Sequence, residues 1–216
     1  LVSAAPTGTD ALGVTQAAVE LSGKGLALNL GSSVAQTLAN EPGMAMRYNG
    51  PMANVPVIRG LTGDRILVLQ DGERTGDLSS ASADHALSID PFSADRIEVI
   101  RGPASLLYGN NALGGVVNVI SNDIPTDVPT RPTFFLGGQG ESVTPGGVIG
   151  GGGTIPLGSK VALTARGTWR STDDLRVGGR GTLANTDAST NGGSIGVGYS
   201  GDRVQVGAAF RATSFE

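Results

Sequence analysis

Cysteine is absent from the 216 residues and histidine occurs once, at His85. Without cysteine there is no disulfide framework and no thiolate metal site, although the compartment stays open, since many proteins of oxidising compartments have none. No run of about 18 or more apolar residues occurs, which excludes a transmembrane helix. A transmembrane β-barrel would show no such run, because its strands alternate. Basic residues number only fifteen against nineteen acidic ones, a net charge of −4, so a nucleic-acid footprint is not expected. Aromatic residues make up 4% of the chain while glycine numbers 35, a balance that favours turn-rich β structure over a helical bundle. The length suffices for one or two domains with real cores. No signal peptide is visible at Leu1, as in a mature or trimmed chain.

The stretch that organises the rest is DPFSADRIEVIRGPASLLYGNNALGGVVNVIS, Asp90 to Ser121. Arg96 to Ile100 alternates charge with β-branched residues and reads as a half-buried strand. Gly102-Pro103 stops it, and Pro103 suits a first helical turn because its missing N–H would be unpaired there anyway. Ala104 to Tyr108 has room for about one helical turn before Gly109 closes it. Gly114-Gly115 permit a close backbone approach, and Val116 to Ile120 is a second strand whose apolar run Asn118 interrupts.

Upstream, Ala17 to Leu30 reads as strand, turn, strand, bending at Ser22-Gly23-Lys24-Gly25. A phosphate loop there is rejected, because the required preceding glycine and following Ser or Thr are replaced by Ala18 and Gly25. Ser33-Val34-Ala35-Gln36 fits a capping box, opening a helix that ends by Glu41 ahead of Pro42. Val55 to Arg59 and Arg65 to Leu69 are two short strands, the second followed by the turn Asp71-Gly72.

These residues carry a resemblance. RIEVIRGPASLLYGNNALGGVVNVIS, with Val34 to Gly43, VIRGLTGDRILVLQDG (Val57 to Gly72) and Asn122 to Pro125, resembles the plug domain of TonB-dependent outer-membrane receptors. The likeness covers most of residues 20 to 125 in the family's order and spacing. SADHALSIDP (Ser82 to Pro91) is most similar to the zinc-uptake receptors within it. The resemblance implies a small α+β plug, a mixed sheet with short helices, over residues 16–126 after a flexible lead-in at 1–15. Its signature turn is Gly102, Pro103, Tyr108, Gly109, Gly114 and Gly115. The segment through which family members pair with TonB is not recognisable in Leu1 to Val19.

Two sets of side chains invite a functional reading. Arg59 and Arg101 each precede a glycine at the end of an apolar strand. By themselves they are two solvated strand-end arginines. The resemblance implies plug–barrel ion pairing, for which arginine suits because its planar fork binds carboxylates bidentately and stays charged when buried. Glu98, between apolar strand residues, joins this set with a partner inside the plug. The dipeptide Asp84-His85 lies in a polar loop and alone reads as ordinary surface, since two ligands fall short of the four of a tetrahedral zinc site. The resemblance implies plug-side ligands for transported zinc, completed by barrel residues.

After Pro125 the texture changes. Thr126 to Pro132 is a proline-punctuated linker, and beyond it long alternation begins. In Val161 to Arg170 the odd positions Val161, Leu163, Ala165, Gly167 and Trp169 are apolar or small, and Thr164, Arg166, Thr168 and Arg170 are polar. Ile195, Val197 and Tyr199 continue the pattern, as do Val204, Val206, Ala208 and Phe210 against Arg203, Gln205 and Arg211. A lipid-exposed, water-lined barrel alternates this way, and so does a soluble sandwich. Leu157 to Lys160 and Ser200 to Asp202 are tight turns, whereas Ser171 to Asn191 reads as a long polar loop. Trp169 and Tyr199 suit aromatic girdles. Residues 131–216 hold roughly five strands of about ten residues, so the chain is expected to be a fragment of a plugged barrel of about 22 strands.

Enzymatic readings fail on mechanism. Gly192 to Gly196 fits G-x-S-x-G, but that elbow needs a strand-to-helix turn and a later histidine, so Ser194 is structural. Asp173-Asp174 lack a partner base. The expected function is TonB-energised uptake of a scarce nutrient across the outer membrane, with zinc as the implied cargo and no cofactor required. A haem or ferric-siderophore receptor of the same family is the alternative, and a non-transporting β-sandwich adhesion module the alternative of another class. Implied partners are TonB, outer-membrane lipid and an extracellular metal or metal chelate. The implied location is the outer membrane, with the plug in the lumen and a periplasmic N-terminus.

Overall fold

The computed structural model describes residues 17–50, 53–75, 82, 85, 87, 89–103, 108–109, 111–179 and 181–215. The chain divides into two compact units, residues 1–121 and 122–216. The first is an α+β unit. Its elements are β1 (Ala17–Ser22), α1 (Gly23–Asn29), α2 (Val34–Leu38), β2 (Met44–Tyr48), β3 (Asn54–Ile58), β4 (Ile66–Gln70), β5 (Glu73–Arg74), β6 (Arg96–Arg101) and β7 (Gly115–Ile120). A five-stranded mixed sheet runs β1-β6-β7-β4-β5, and β2 and β3 form a separate hairpin. Among the described residues, only β4 and β7 pair in parallel.

Both faces of this sheet are covered. Val34 and Leu38 of α2, Leu26 of α1, Ile58 and Ile66 pack on the face carrying Ile97, Val99, Val117 and Val119. Leu67, Leu69, Ala112 and Val116 gather with Tyr108 in a second cluster. The expectation of a half-buried β6 is therefore corrected: Ile97 to Ile100 are all buried, because β6 lies between β1 and β7 and both its faces are packed. Its polar alternate, Glu98, is enclosed with the rest.

A second correction concerns the stretch after β1, expected as a bend at Ser22 to Gly25 and then a strand reaching Leu30, and found as α1, Gly23–Asn29. The alternation G-L-A-L-N-L suited a strand, but Leu26 is buried and Leu30 packs beside it, four residues apart, as one face of a helix requires. Leu28 is left 77% exposed. The helix α2 begins as its sequence predicts, with the Ser33 hydroxyl accepting from the Gln36 N–H at 3.1 Å. Gln36 reaches back one residue further than a capping box does, accepting from the Ser32 N–H at 2.9 Å.

The second unit is an antiparallel sheet of β8 (Thr133–Glu141), β9 (Gly146–Pro156), β10 (Val161–Thr172), β13 (Ala188–Ser200) and β14 (Gln205–Phe215), each beside its sequence neighbour. The segment expected as a long polar loop between β10 and β13 is shorter and partly ordered. It holds a small hairpin, β11 (Leu175–Val177) with β12 (Gly181–Leu183). Asp174 accepts from the Thr186 N–H at 3.0 Å and so closes the base of that hairpin.

Burial in this sheet is inverted. Phe134, Leu136, Ile149, Trp169, Ile195, Val197, Tyr199, Val206 and Phe210 are exposed, while Thr164, Arg170, Thr172 and Thr190 are buried. A soluble sandwich buries its apolar alternates. The opposite arrangement is that of a strand wall with lipid outside and a polar lumen. Register places Phe134, Gly153, Ala165, Ile195 and Phe210 in one row across the five strands. No helix among the described residues is long and apolar enough to cross a membrane.

Candidate functional site

The signature turn brings the end of β6 to the start of β7. The Gly102 N–H donates to the Gly114 carbonyl at 2.9 Å, and the Gly114 N–H to the Arg65 carbonyl at 2.8 Å. Gly115 has φ +154, and a Cβ there would lie 2.4 Å from the Ile100 carbonyl oxygen. Only glycine fits that approach. Arg74 donates through Nη2 to the Tyr108 carbonyl at 3.1 Å, just before Gly109 at φ +75. The expected helical turn lies outside the described residues except for Tyr108. The signature thus closes one end of the sheet, with Pro103 exposed.

At this end the two arginines converge. The turn Pro42-Gly43 receives both: the Arg59 N–H donates to the Gly43 carbonyl at 3.0 Å, and Arg101 Nη1 donates to the Pro42 carbonyl. A Cβ at Gly102 would lie 4.0 Å from Arg59 Nη1. Arg59 is exposed and holds φ +50, uncommon for a residue with a side chain. The Arg101 Nε is buried and takes no hydrogen bond among the described residues.

Glu98 lies in the middle of β6, opposite Asn118 of β7, and accepts from Arg96 Nε at 2.8 Å. The side chain of Arg96 keeps 27% of its surface and that of Glu98 none. Burial, and then the negative charge of Glu98, push the Tyr108 hydroxyl above its ordinary pKa. Asn118, which interrupts the apolar run of β7, accepts from the Gly72 N–H at 3.0 Å and ties down the Asp71-Gly72 turn. His85 is exposed, and its N–H reaches the Ser82 carbonyl at 3.2 Å. Asp84 lies outside the described residues. Among those described, no three His, Cys, Asp or Glu side chains cluster as a metal site.

Residues 11–116 match the TonB-dependent receptor plug domain. The first unit has the fold of a TonB-dependent receptor plug domain. The vitamin B12 transporter BtuB of Photobacterium profundum is 35% identical over 136 residues, 62% of this chain and 22% of its own length. The ferric yersiniabactin uptake receptor FyuA of Yersinia pestis matches 92% of this chain with 32% of its own, at TM-score 0.67 and 18% identity. The copper transporter OprC matches 85% of this chain with 28% of its own, at TM-score 0.67 and 22% identity. The plug followed by antiparallel strands is therefore the fold of the start of a plugged barrel, and the chain spans about a fifth of its curated relative.

Sequence reasoning missed one cluster beyond the plug. Asp123 accepts from the Ser194 hydroxyl at 2.8 Å and from Arg211 through Nε at 2.7 Å and Nη2, with Arg166 Nε 4.0 Å away. Arg166 also stands over the Phe135 ring, 5.4 Å from its centroid. The polar alternation of β10, β13 and β14 put these residues on one face, but separations of 71 and 88 residues hid the cluster. Ser194 lies within β13, with no strand-to-helix turn, so the nucleophile-elbow pattern has no elbow.

Proposed function

We propose that this chain belongs to an outer-membrane receptor for TonB-energised uptake of a scarce, metal-bearing nutrient. The observation that carries the reading is a plug domain continuous with a wall whose apolar side chains are exposed and whose polar ones are buried. Receptors or transporters for ferric yersiniabactin, copper and vitamin B12 are among its relatives, which supports uptake without favouring one cargo. Zinc, held by Asp84 and His85 with barrel ligands, is the narrower reading, and its support is the likeness of Ser82 to Pro91 to zinc-uptake receptors. A ferric siderophore fits the same relatives equally.

In this reading Arg59 and Arg101 face glutamates of the barrel. The support is the exposed position of Arg59 and a buried Arg101 Nε that makes no hydrogen bond among the described residues. A buried pair of that kind suits a switch, since separating its partners leaves an uncompensated charge. Cells expressing the full-length receptor, with and without TonB, should take up labelled zinc or a ferric chelate only when TonB is present. Uptake indifferent to TonB sinks the energised reading. In detergent, tight zinc binding weakened at least about tenfold by His85→Ala, about 1.4 kcal/mol, selects zinc. Zinc binding indifferent to His85, with ferric-chelate uptake intact, selects the siderophore.

A further inference from the structure

The chain passes from the first unit to the second through Asn122, and the residues on either side are pinned. Ser121 donates its N–H to Asp71 at 2.8 Å and its hydroxyl to the other carboxylate oxygen at 2.5 Å. Asp123, its side chain 5% exposed, is held by Ser194 and Arg211. The next residues rest on a bed of glycines in β13 and β14. A Cβ at Gly196 would lie 2.1 Å from the Asp123 carbonyl oxygen, one at Gly207 2.2 Å from Ile124 Cγ2, and one at Gly198 1.9 Å from the Pro125 carbonyl oxygen. A side chain at Gly196 or Gly198 collides with the segment's backbone and one at Gly207 with the Ile124 side chain, so the wall is shaped to receive it. Charge, hydroxyl and missing side chains converge on four residues of backbone.

We propose that Asn122 to Pro125 is an anchorage that stays seated on β13 and β14 while the first unit rearranges. Tension drawn through Ser121 then ends at Asp123, and β8, which begins at Thr133, is spared. An arginine–carboxylate pair with two donors on one buried Asp suits this task, because its rupture strands a charge away from water. The proposal rests on the uptake reading in supposing that the first unit is pulled.

Hydrogen exchange of the full-length receptor in detergent tests the seat. Amides of residues 122–124 should exchange at least about tenfold more slowly than a free peptide. Asp123→Ala and Gly198→Val should each remove that protection while β10 and β13 keep theirs. Gly167→Ala, whose Cβ would meet nothing nearer than 3.8 Å, is the control for substitution in the wall. Asp123→Asn, which keeps the Ser194 contact, serves if the alanine variant does not assemble. Free-peptide exchange in the wild type, or unchanged protection in the variants, overturns the seat. Force spectroscopy, pulling from the N-terminal end, tests the load. Extension should halt at Ser121, with the segment to Pro132 released as a separate step of about 40 Å that Asp123→Ala abolishes. Release of that segment together with the first unit overturns the anchorage. Neither measurement needs cargo or TonB, so either can fail while the uptake reading stands.

Discussion

Asp71 holds Ser121 by two hydrogen bonds, from its N–H at 2.8 Å and its hydroxyl at 2.5 Å, at the shared C-terminal end of the parallel pair β4 and β7. Asp71 can do so because it sits at φ +52 in a turn whose next residue, Gly72, has φ +84. Ser121 is 1% exposed, so its polar groups have little water to fall back on. Asp71→Ala should cost about 1–3 kcal/mol through the stranded donors. Asp71→Asn, keeping an acceptor, should cost less. Thermal unfolding of the whole chain followed by circular dichroism measures both, and equal losses would show that charge rather than hydrogen bonding matters.

The signature glycines should differ in tolerance. Gly115→Ala meets the Ile100 carbonyl at 2.4 Å, rigid backbone that cannot yield, and should cost more than about 3 kcal/mol. At Gly114 the close atoms belong to side chains, Ile66 Cδ1 at 2.5 Å, which can rotate, and Leu61 Cβ at 2.9 Å, which must shift slightly, so Gly114→Ala should cost less. Gly109→Ala has 3.8 Å of clearance and pays only for its left-handed backbone, about 1 kcal/mol. Denaturant midpoints should follow that order.

Glu98 makes a prediction about alkaline pH through Tyr108. Burial and the Glu98 charge raise the Tyr108 pKa in the folded chain above its ordinary value of 10.0. The unfolded chain therefore releases this proton first. Stability is unaffected below the unfolded pKa and falls as pH rises from there through the folded value. Tyr108→Phe should flatten that fall, and Glu98→Gln should lower the phenolate titration followed in the ultraviolet. An unaltered titration in Glu98→Gln would leave burial as the whole cause.

Arg96→Leu should destabilise the first unit more than the double change Arg96→Leu with Glu98→Leu. The single change leaves a wholly buried carboxylate deprived of its guanidinium, whereas the double change removes both charges together. Urea unfolding compares them, and the reverse order would mean that Arg96 contributes chiefly by packing.

On the second unit, Ile195→Arg places a charge in the middle of the exposed apolar row and should cost about 2–4 kcal/mol in a membrane. Thr168→Arg, on the polar face, should be tolerated. Assembly of full-length receptor into the outer-membrane fraction distinguishes them, and equal assembly would contradict a lipid-facing row.

Local patterns were legible where local physics decides. The capping serine at Ser33, the strands on either side of the glycine turn, the tight turns after β9 and β13, and the period of two in β10, β13 and β14 follow from backbone sterics and side-chain alternation. The segment Gly23 to Asn29 misled because its alternation fits a strand as well as a helix over so few residues, and only the packing of Leu26 and Leu30 chose between them. The charge alternation of Arg96 to Ile100 suited a half-buried strand, but the Glu98 side chain is wholly buried and held by Arg96.

Sequence alone determined that the second unit alternates and that the first has a plug's order of strands and turns, since both are properties of neighbours along the chain. Tertiary structure alone decided which alternate faces outward, that Arg59 and Arg101 share one turn, and that Asp123 meets Ser194 and Arg211. Those are contacts between residues far apart in the chain, and no local preference encodes them. They exist because strand pairing sets the register and, with it, which side chains share a face.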